Sequence, residues 1–322
     1  MSAPRLLAIG AAVQDVFLSH SDEFTPVVEN PHESFMKLEL GAKADVNNIT
    51  FSTGGGATNA AVTFARQGLH SQFMGTVGHD PAGLAVLDDL DKEGVDTTHI
   101  SYSEKYNTGY SVLLLAPNGE RTILTYRGAS THYDAKYFDL RDSNAQWLYV
   151  SSMAGSMDAL DKIFTQAREL GIKIMFNPGK GELSQTKKLK SLLEDVEVLS
   201  VNREEMQTIV EGSELEELVR HAMHYVPVAI VSDGPNGVVA SDGKTIVRAG
   251  MYEDVPVIDR TGAGDAFGSG FLSQWAQGRS LKESIVFASA NSTSVVTKIG
   301  AKTGILSAQS QLHEMPLSEK PF

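Results

Sequence analysis

Short, mostly apolar runs of residues recur along the chain and alternate with segments of helical periodicity. The runs have the length of buried strands and occupy residues 6–9, 72–76, 147–150, 172–176, 196–199 and 228–231. Helical patterns occupy residues 58–67, 82–93, 158–170, 204–210, 214–224, 263–277 and 281–296. Because parallel neighbours need crossover connections, this alternation predicts an α/β fold with a mostly parallel central sheet flanked by helices on both faces.

Two stretches depart from this alternation and predict a small β-sheet lid. Residues 17–50 are polar and rich in turn formers, while residues 110–126 read as two strands joined at Pro117-Asn118-Gly119. A lid would exclude water from a reaction beneath it. The resulting expectation is an α/β core made of residues 1–13, 51–105 and 128–322, with a lid made of residues 14–50 and 106–127.

Composition narrows the range of partners. The 322-residue chain has a formal net charge of −13, which repels phosphate backbones, so we expect neither nucleic acid nor a membrane as a partner. It contains no cysteine, which excludes disulfides, cysteine–zinc sites and thiol catalysis. No stretch approaches the roughly 18 uninterrupted apolar residues of a membrane span. We expect a cytoplasmic protein.

The glycine-rich stretch 259–271 carries the strongest chemical signal. Gly262 and Gly264 lack a Cβ, so the successive N–H groups from Gly262 through Ala263 to Asp265 can turn toward a common point. A predicted helix start adds the positive end of its dipole there. Asp265 would face the bound anion, placed to take a proton from a hydroxyl that attacks the γ-phosphate of a nucleotide. The stretch therefore predicts phosphoryl transfer.

A second glycine cluster, Gly54-Gly55-Gly56, precedes a helix of small residues. Asn59 in that helix offers both a donor and an acceptor, which suits the vicinal hydroxyls of a sugar. Asp15, expected at the C-terminal edge of the first strand, would accept from such hydroxyls. The alternative interpretation makes Asn59 a helix cap and Asp15 a turn residue.

These segments and Asn202-Arg203-Glu204-Glu205 follow the order and spacing of the ribokinase-like (PfkB) carbohydrate kinase family, and the chain resembles a full-length member. The resemblance implies ATP with Mg²⁺ as the donor and a hydroxymethyl group of a sugar or nucleoside as the acceptor. It implies substrate-binding roles for Asp15 and Asn59, an anion hole at residues 262–264 and a catalytic base at Asp265.

The same resemblance assigns residues to the nucleotide. Asn202 and Glu205 would act on Mg²⁺ and the phosphates through water, although an Asn with a Glu three residues later also predicts a capping box at a helix start. The segment 232–237 resembles the family's nucleotide loop, in which Ser232, Gly234 and Gly237 would contact ATP. Asn291 resembles the part of the family that borders the adenine, with a polar residue on a packed helix as the alternative.

A monovalent-cation site is the last element that the resemblance implies. Asp259, Thr261 and carbonyls near residues 299–301 resemble the site that binds K⁺ in ribokinases. A cation beside the anion hole would strengthen its field. Lids in similar kinases also pair across a two-fold axis, which implies a homodimer through the lid.

Other phosphate signatures fit less well. Gly243-Lys244-Thr245 looks like the end of a P-loop, but Val238 stands where the motif needs its first glycine, so residues 238–240 and 245–248 predict a hairpin instead. Neither glycine cluster completes a dinucleotide fingerprint, because Asn59 and Phe267 occupy the position of its third glycine.

The identity of the acceptor depends on the lid, and three classes of acceptor stay open. A free pentose or related sugar is favoured narrowly over a nucleoside, which would need an aromatic wall. A phosphorylated sugar would need converging cations such as Lys43 and Arg127. The candidate lid residues are Phe17, His20, Phe24, Lys43, Tyr110, Tyr126 and Arg127. A sugar-binding regulator without turnover is the alternative of a different class.

Overall fold

The computed structural model describes residues 3–30, 33–117, 120–250 and 255–322. The strands are β1 (Arg5–Ile9), β2 (Val13–Ser19), β3 (Val27–Asn30), β4 (Glu33–Phe35), β5 (Asn48–Gly54), β6 (His70–Met74), β7 (Thr76–Gly78), β8 (Ser101–Ser103), β9 (Gly109–Leu115), β10 (Arg121–Tyr126), β11 (Trp147–Ser151), β12 (Lys173–Asn177), β13 (Val198–Asn202), β14 (Val228–Ser232), β15 (Val238–Ser241), β16 (Thr245–Ala249) and β17 (Leu317–Pro321). The α-helices are α1 (Gly56–Arg66), α2 (Pro81–Lys92), α3 (Met157–Leu170), α4 (Lys180–Leu183), α5 (Thr186–Leu192), α6 (Arg203–Ile209), α7 (Leu215–Ala222), α8 (Ala263–Trp275) and α9 (Leu281–Val296).

A nine-stranded sheet forms the centre of the molecule, in the order β17-β16-β15-β14-β13-β12-β11-β1-β6. The six strands from β14 to β6 in that order pair in parallel, and β15, β16 and β17 are antiparallel. The predicted fold class is therefore confirmed. The predicted hairpin is also confirmed, because β15 and β16 flank the Gly243-Lys244 turn.

Helices cover both faces of this sheet and create two cores. One core contains Leu160 of α3, Leu189 of α5 and Leu218 of α7. The other contains Phe64 of α1 and Phe271 of α8. Each helix contributes one apolar stripe, so the strands between them are buried on both sides, as their continuous apolar runs predict. No helix in the described ranges is long and apolar enough to cross a membrane.

A second, four-stranded sheet has the order β10-β9-β2-β5. Its β9 and β10 pair in antiparallel fashion and confirm the strands predicted within 110–126; Asn118 and Gly119 of the predicted turn lie outside the described residues. Asp15 does not end the first strand as predicted, because β1 stops at Ile9 and Asp15 lies inside β2. Gly10 turns the chain out of the core at φ 145°, so strand pairing resumes in the second sheet.

Several elements were not predicted individually, among them α4, α5 and β17. Helices α4 and α5 are four and seven residues long, too short to display a clear helical period. Strand β17 is polar and exposed along most of its length and lies at the edge of the central sheet. Edge strands of this kind lack the apolar run that marks a buried strand.

Candidate active site

The start of α8 forms one wall of the site. Gly262 is the N-cap residue and adopts the left-handed conformation with φ 79°. A Cβ at Gly262 would collide with Ala301, whereas a Cβ at Gly264 would meet no atom within 4 Å. Among the hydrogen bonds of the described residues, the N–H groups of Gly264 and Asp265 have no acceptor. These two amides are therefore open to a ligand at the positive end of α8.

Asp265 lies in the first turn of α8 and contacts α1. The Asn59 side chain donates a hydrogen bond from Nδ2 to Asp265 Oδ2 at 2.8 Å. Burial raises the pKa of the Asp265 carboxyl, and the hydrogen bond from Asn59 opposes that rise. A carboxylate with a raised pKa is a stronger base than an exposed one, so its environment suits proton abstraction.

The second glycine cluster brings Asp15 into the same site. A Cβ at Gly54 would collide with Asp15 Oδ2, and a Cβ at Gly56 would lie 3.0 Å from Asp265 Oδ1. Gly55, with φ 102°, is the N-cap residue of α1. The two carboxylates thus border one glycine turn whose lack of side chains leaves room between them.

One buried atom in this space has no partner. Asn59 is 2% exposed, and its Oδ1 accepts no hydrogen bond within the described structure. Because an ionised carboxylate only accepts, Asn59 must offer its NH₂ to Asp265 and keep its oxygen free. Burying an unsatisfied acceptor costs free energy, so Oδ1 is suited to accept from a hydroxyl of a bound ligand. The helix-cap interpretation of Asn59 does not apply, because Gly55 occupies the cap.

Asp15 lies almost completely buried in β2. Burial raises the pKa of its carboxyl, while the Ser111 hydroxyl and the charge of Lys302 lower it. Asp259 adds a further rise through its negative charge. Asp15 is therefore a strand residue with a nearby compensating cation, not a turn residue.

A seam of polar contacts between α1 and α8 supports the position of Asp265 and was not predicted. One turn beyond the Asn59–Asp265 contact, Ser269 Oγ donates to Thr63 Oγ1 at 2.9 Å and to the Asp265 carbonyl at 2.6 Å. Two turns beyond, Gln274 donates to Gln67 at 3.1 Å. The four-residue spacing of Asn59, Thr63 and Gln67 is a signal in the sequence that could have revealed this face. The seam fixes the relative position of the two helices.

A small cavity of about 160 Å³ begins at the anion-hole loop and reaches the end of β14. Its lining residues are Ser232, Gly234, Gly237, Val238, Gly250, Ala263, Gly264, Phe267, Ser289, Ser292 and Thr293. The three residues predicted to contact ATP in the nucleotide loop thus lie together with Ala263 and Gly264. A larger cavity of about 590 Å³, between α9 and the segment 306–316, shares Thr293 with it.

Asn291 lies away from both cavities. Its side chain is fully buried, donates to the Ala266 carbonyl at 2.8 Å and accepts from the Leu306 amide at 2.9 Å. Both ends of the amide are satisfied, so the position fits the alternative of a polar residue on a packed helix. The cavity faces of α9 carry Ser289 and Ser292 instead, because these residues lie on another side of the helix.

Asn202 and Glu205 form the capping box that the spacing predicts. Asn202 Oδ1 accepts from the Glu205 amide, and Glu205 Oε2 accepts from the Asn202 amide, both at 2.9 Å. Asn202 ends β13 beside Ser232 of β14, next to the small cavity. Burial raises the pKa of the Glu205 carboxyl, and its bond to the Asn202 amide opposes the rise.

These oxygen donors fit a hydrated Mg²⁺ better than a fully coordinated one. The described residues contain no group of three or more acidic, histidine or cysteine side chains that could hold a metal ion. Mg²⁺ commonly keeps several waters and takes few protein ligands. Glu205 still has a carboxylate oxygen outside the capping bond, so contact through water is compatible with the cap.

Charged residues outside the predicted set surround the anion-hole loop. Lys302 is 5% exposed, and its Nζ donates to Thr53 Oγ1 at 2.5 Å and to Asp89 Oδ2 at 3.0 Å. Arg121 of β10 places its Nε 3.9 Å from Oδ1 of the buried Asp259. Only the fold brings these residues together, since long stretches of chain separate them from their partners.

The lid residues considered for acceptor binding are divided between the two sheet faces. The cross-strand register puts Ser111 and Thr125 on the same face as Asp15, and Tyr110 and Tyr126 on the opposite face. Other candidates are buried, like Phe17 and Phe24, or exposed, like His20, Lys43 and Arg127. The face with Asp15 therefore presents no exposed aromatic ring among these candidates.

Comparisons with known proteins identify the family of the chain. The pfkB family carbohydrate kinase profile matches residues 22–308. Ribokinase of Haemophilus influenzae is 27% identical over 276 residues, covering 82% of this chain and 88% of that protein. Guanosine-inosine kinase of Exiguobacterium acetylicum is 28% identical over 268 residues, covering 78% and 86%.

A solved structure shares the whole fold. The structure of Arabidopsis thaliana ribokinase complexed with ribose and ATP superposes with a TM-score of 0.76 at 20% identity, and the match covers 96% of this chain and 97% of that one. The family profile spans far more than half of the sequence. The chain belongs to the pfkB family of carbohydrate kinases and is an ATP-dependent sugar or nucleoside kinase.

Proposed function

We propose that this protein transfers the γ-phosphoryl group of ATP to a hydroxymethyl group of a free pentose or related small sugar. The observation that carries the proposal is the Asn59–Asp265 contact, which holds a partly buried carboxylate beside the open amides of α8 and leaves Asn59 Oδ1 free. Asp15 faces the same glycine turn from β2. Base, anion site and hydroxyl acceptors thus lie in one cleft.

The chemistry follows from these positions. Asp265 removes the proton of the acceptor hydroxyl as its oxygen forms a bond to the γ-phosphorus. The bond between the γ-phosphorus and the bridging oxygen breaks, and ADP leaves with that electron pair. The open amides of Gly264 and Asp265 stabilise the charge on the transferred group, for which one preorganised donor contributes about 3 kcal/mol, while the Ala263 amide is directed to the Arg260 carbonyl. Asp15 and Asn59 orient the sugar through its other hydroxyls.

The nucleotide would lie along the two neighbouring cavities, which share Thr293 in their linings. Gly264 and Ser232 border the smaller one, where the phosphates would sit near the start of α8. Thr293 borders both, so the base would extend past it into the larger cavity. Mg²⁺ bound with the phosphates would neutralise part of their charge. Asn202 and Glu205 would hold that ion through water.

A sugar is favoured over a nucleoside because of the lid. The two tyrosine candidates, the half-buried Tyr110 and the exposed Tyr126, lie on the face opposite Asp15, and Phe17 on the near face is 1% exposed. A base would therefore find no aromatic wall to stack on. The second candidate is a nucleoside kinase, which the similarity to guanosine-inosine kinase favours.

A coupled assay of ADP release tests the proposal. Ribose, fructose, ketodeoxygluconate, adenosine, cytidine and inosine would be compared at equal concentration with ATP and Mg²⁺, and the Asp265→Asn variant would serve as the inactive control. We expect the largest kcat/KM with a free sugar. A clear preference for inosine would support the nucleoside kinase instead. Sugar binding without ADP release from any acceptor would indicate a non-catalytic regulator.

The lid also supports a homodimer. Its face opposite Asp15 carries four exposed apolar side chains, which are Ile49, Phe51, Leu124 and Tyr126. An apolar sheet face of this kind gains free energy when a second copy covers it. We therefore propose that two lids pair through this face.

A further inference from the structure

Asp259 is a buried carboxylate at the beginning of the anion-hole loop. It is 3% exposed. Its Oδ1 accepts from the Thr261 amide at 2.9 Å and from the Thr261 hydroxyl at 2.6 Å, and its Oδ2 accepts from the Gly300 amide at 3.1 Å. These neutral donors satisfy its hydrogen bonds but not its charge. A buried negative charge needs a cation nearby.

The cation that the structure provides is Arg121. Within the described ranges, Arg121 is the basic residue in ion-pair contact with Asp259, at 3.9 Å between Nε and Oδ1. That Nε is buried and has no hydrogen-bond acceptor among the described residues. The neighbouring buried cation, Lys302, is already engaged by Asp89 and Thr53. Among the ion pairs of the described residues, Arg121 contacts Asp259 and no other carboxylate.

The same residues, as they stand, do not fit an alkali cation. K⁺ binding would need several free oxygens from Asp259, Thr261 and the carbonyls near residue 300. Both Asp259 oxygens and the Ile299 carbonyl already accept hydrogen bonds, the carbonyl from Thr303 Oγ1 at 3.0 Å, so each has only part of its lone-pair capacity left for an ion. An ion placed beside Asp259 would also be repelled by the guanidinium group. The arrangement thus disagrees with the expected monovalent-cation site.

We propose that Arg121 supplies, from the lid, the positive charge that a bound K⁺ was expected to supply beside the anion hole. The inference rests on the proposed kinase function of the same site. Arg121 acts as a positioning residue, because it contacts Asp259 and Asp259 in turn holds the Thr261 and Gly300 amides. The activity of the enzyme is therefore independent of K⁺.

The origin of this charge in the lid has a mechanistic consequence. Arg121 lies in β10 on the same sheet face as Asp15, as the register through Thr125 and Ser111 shows. The charge reaches Asp259 only while the lid lies over the loop. When the lid lies over the loop, it therefore covers the acceptor and at the same time completes the positive field at the anion hole.

The test compares K⁺ with tetramethylammonium at constant ionic strength. When KCl replaces 100 mM tetramethylammonium chloride, the wild-type rate should change less than about twofold. The wild-type melting temperature should change by less than about 1 °C, on the order of experimental scatter. Arg121→Met without K⁺ should lose about tenfold in kcat, less than the loss of a direct oxyanion donor. Its melting temperature should fall by about 4 °C. KCl should restore much of both losses, since the vacated space exposes Asp259.

Two further variants separate charge from folding. Arg121→Lys keeps a positive charge and should retain most of the activity without K⁺. Arg141→Met removes the arginine of a surface pair with Asp139 and should match the wild type in both salts. A wild-type enzyme that KCl accelerates several-fold, or an Arg121→Met variant with unchanged rate and melting temperature, would overturn the proposal. If no acceptor gives turnover, the kinase function fails, and the melting temperatures still decide whether Arg121 or K⁺ balances Asp259.

Discussion

The two sides of the cleft are built in different ways. On the α8 side, buried and partly buried side chains of α1 and α8 bond directly to each other from Asn59 to Gln274. On the lid side, a four-stranded sheet exposes apolar side chains. Charged residues link this sheet to the core, because Arg121 of the sheet approaches Asp259 and Lys302 of the core donates to Thr53. The helical side is built for fixed geometry, and the lid side for contacts that can open. Variants should therefore affect chemistry on one side and assembly or selectivity on the other.

The largest expected effect is on the helical side. Asp265→Asn removes the base while it keeps the side-chain volume, so kcat should fall about a thousandfold. ADP binding, measured by calorimetry, should stay within about threefold, because the backbone amides are unchanged. Asp158→Asn, an exposed acid in the first turn of α3, is the matched control. Turnover near the wild-type value in Asp265→Asn would show that another group accepts the proton.

Alanine substitutions at Gly262 and Gly264 should differ in their effects, the first on stability and the second on catalysis. Gly262→Ala is strained at φ 79° and collides with Ala301, so it should lose about 2 kcal/mol of unfolding free energy. Gly264→Ala meets no atom of the protein within 4 Å and should lose less than about 0.5 kcal/mol. Its added methyl would nevertheless stand where the phosphate approaches, which should lower kcat/KM for ATP. Equal stability losses in the two variants, measured by urea unfolding, would contradict this distinction.

The pH dependence offers a finer test of the Asn59 contact. Burial raises the pKa of Asp265, so the acid limb of kcat/KM should lie above the ordinary range of an aspartate, and activity should fall as the pH drops through it. The Asn59 N–H stabilises the ionised form. Asn59→Leu should therefore move the acid limb to still higher pH in addition to lowering the rate. A shift to lower pH, or no shift in a folded variant, would argue that Asp265 is not the titrating group.

The smallest catalytic effect should come from the outer face of the lid. Phe51→Lys combined with Leu124→Lys places charges on the exposed apolar face, so light scattering should show a monomer where the wild type is a dimer. The rate per subunit should change only a few-fold, because that face is opposite Asp15. Leu170→Lys, at the exposed end of α3, is the matched control. A monomeric wild type would remove the basis of this comparison.

The helical side was also the more predictable one. The apolar runs and helical periods locate the strands and helices of the sheet because burial on both faces leaves a continuous signal. Local rules suffice for the glycine turn before Asp265 and for the Asn202/Glu205 capping box. Contacts between distant segments leave no such signal. Neither the 3.9 Å approach of Arg121 to Asp259 nor the Lys302–Asp89 pair follows from spacing, because the fold alone brings these segments together.

The single amide of Asn59 has a consequence for how enzymes of this architecture can diversify. One end of it donates to Asp265 and the other end has no partner within the described structure, so under the proposed mechanism any drift of α1 along α8 would disturb the base and the incoming alcohol at once. We therefore expect mutations that alter substrate preference to lie outside this helix pair. They should lie in strands that contact neither Asp265 nor the hydroxyl that it would deprotonate. New specificities are best sought by randomising Ser111 and Thr125, on the lid face that carries Asp15, while the helices are left untouched.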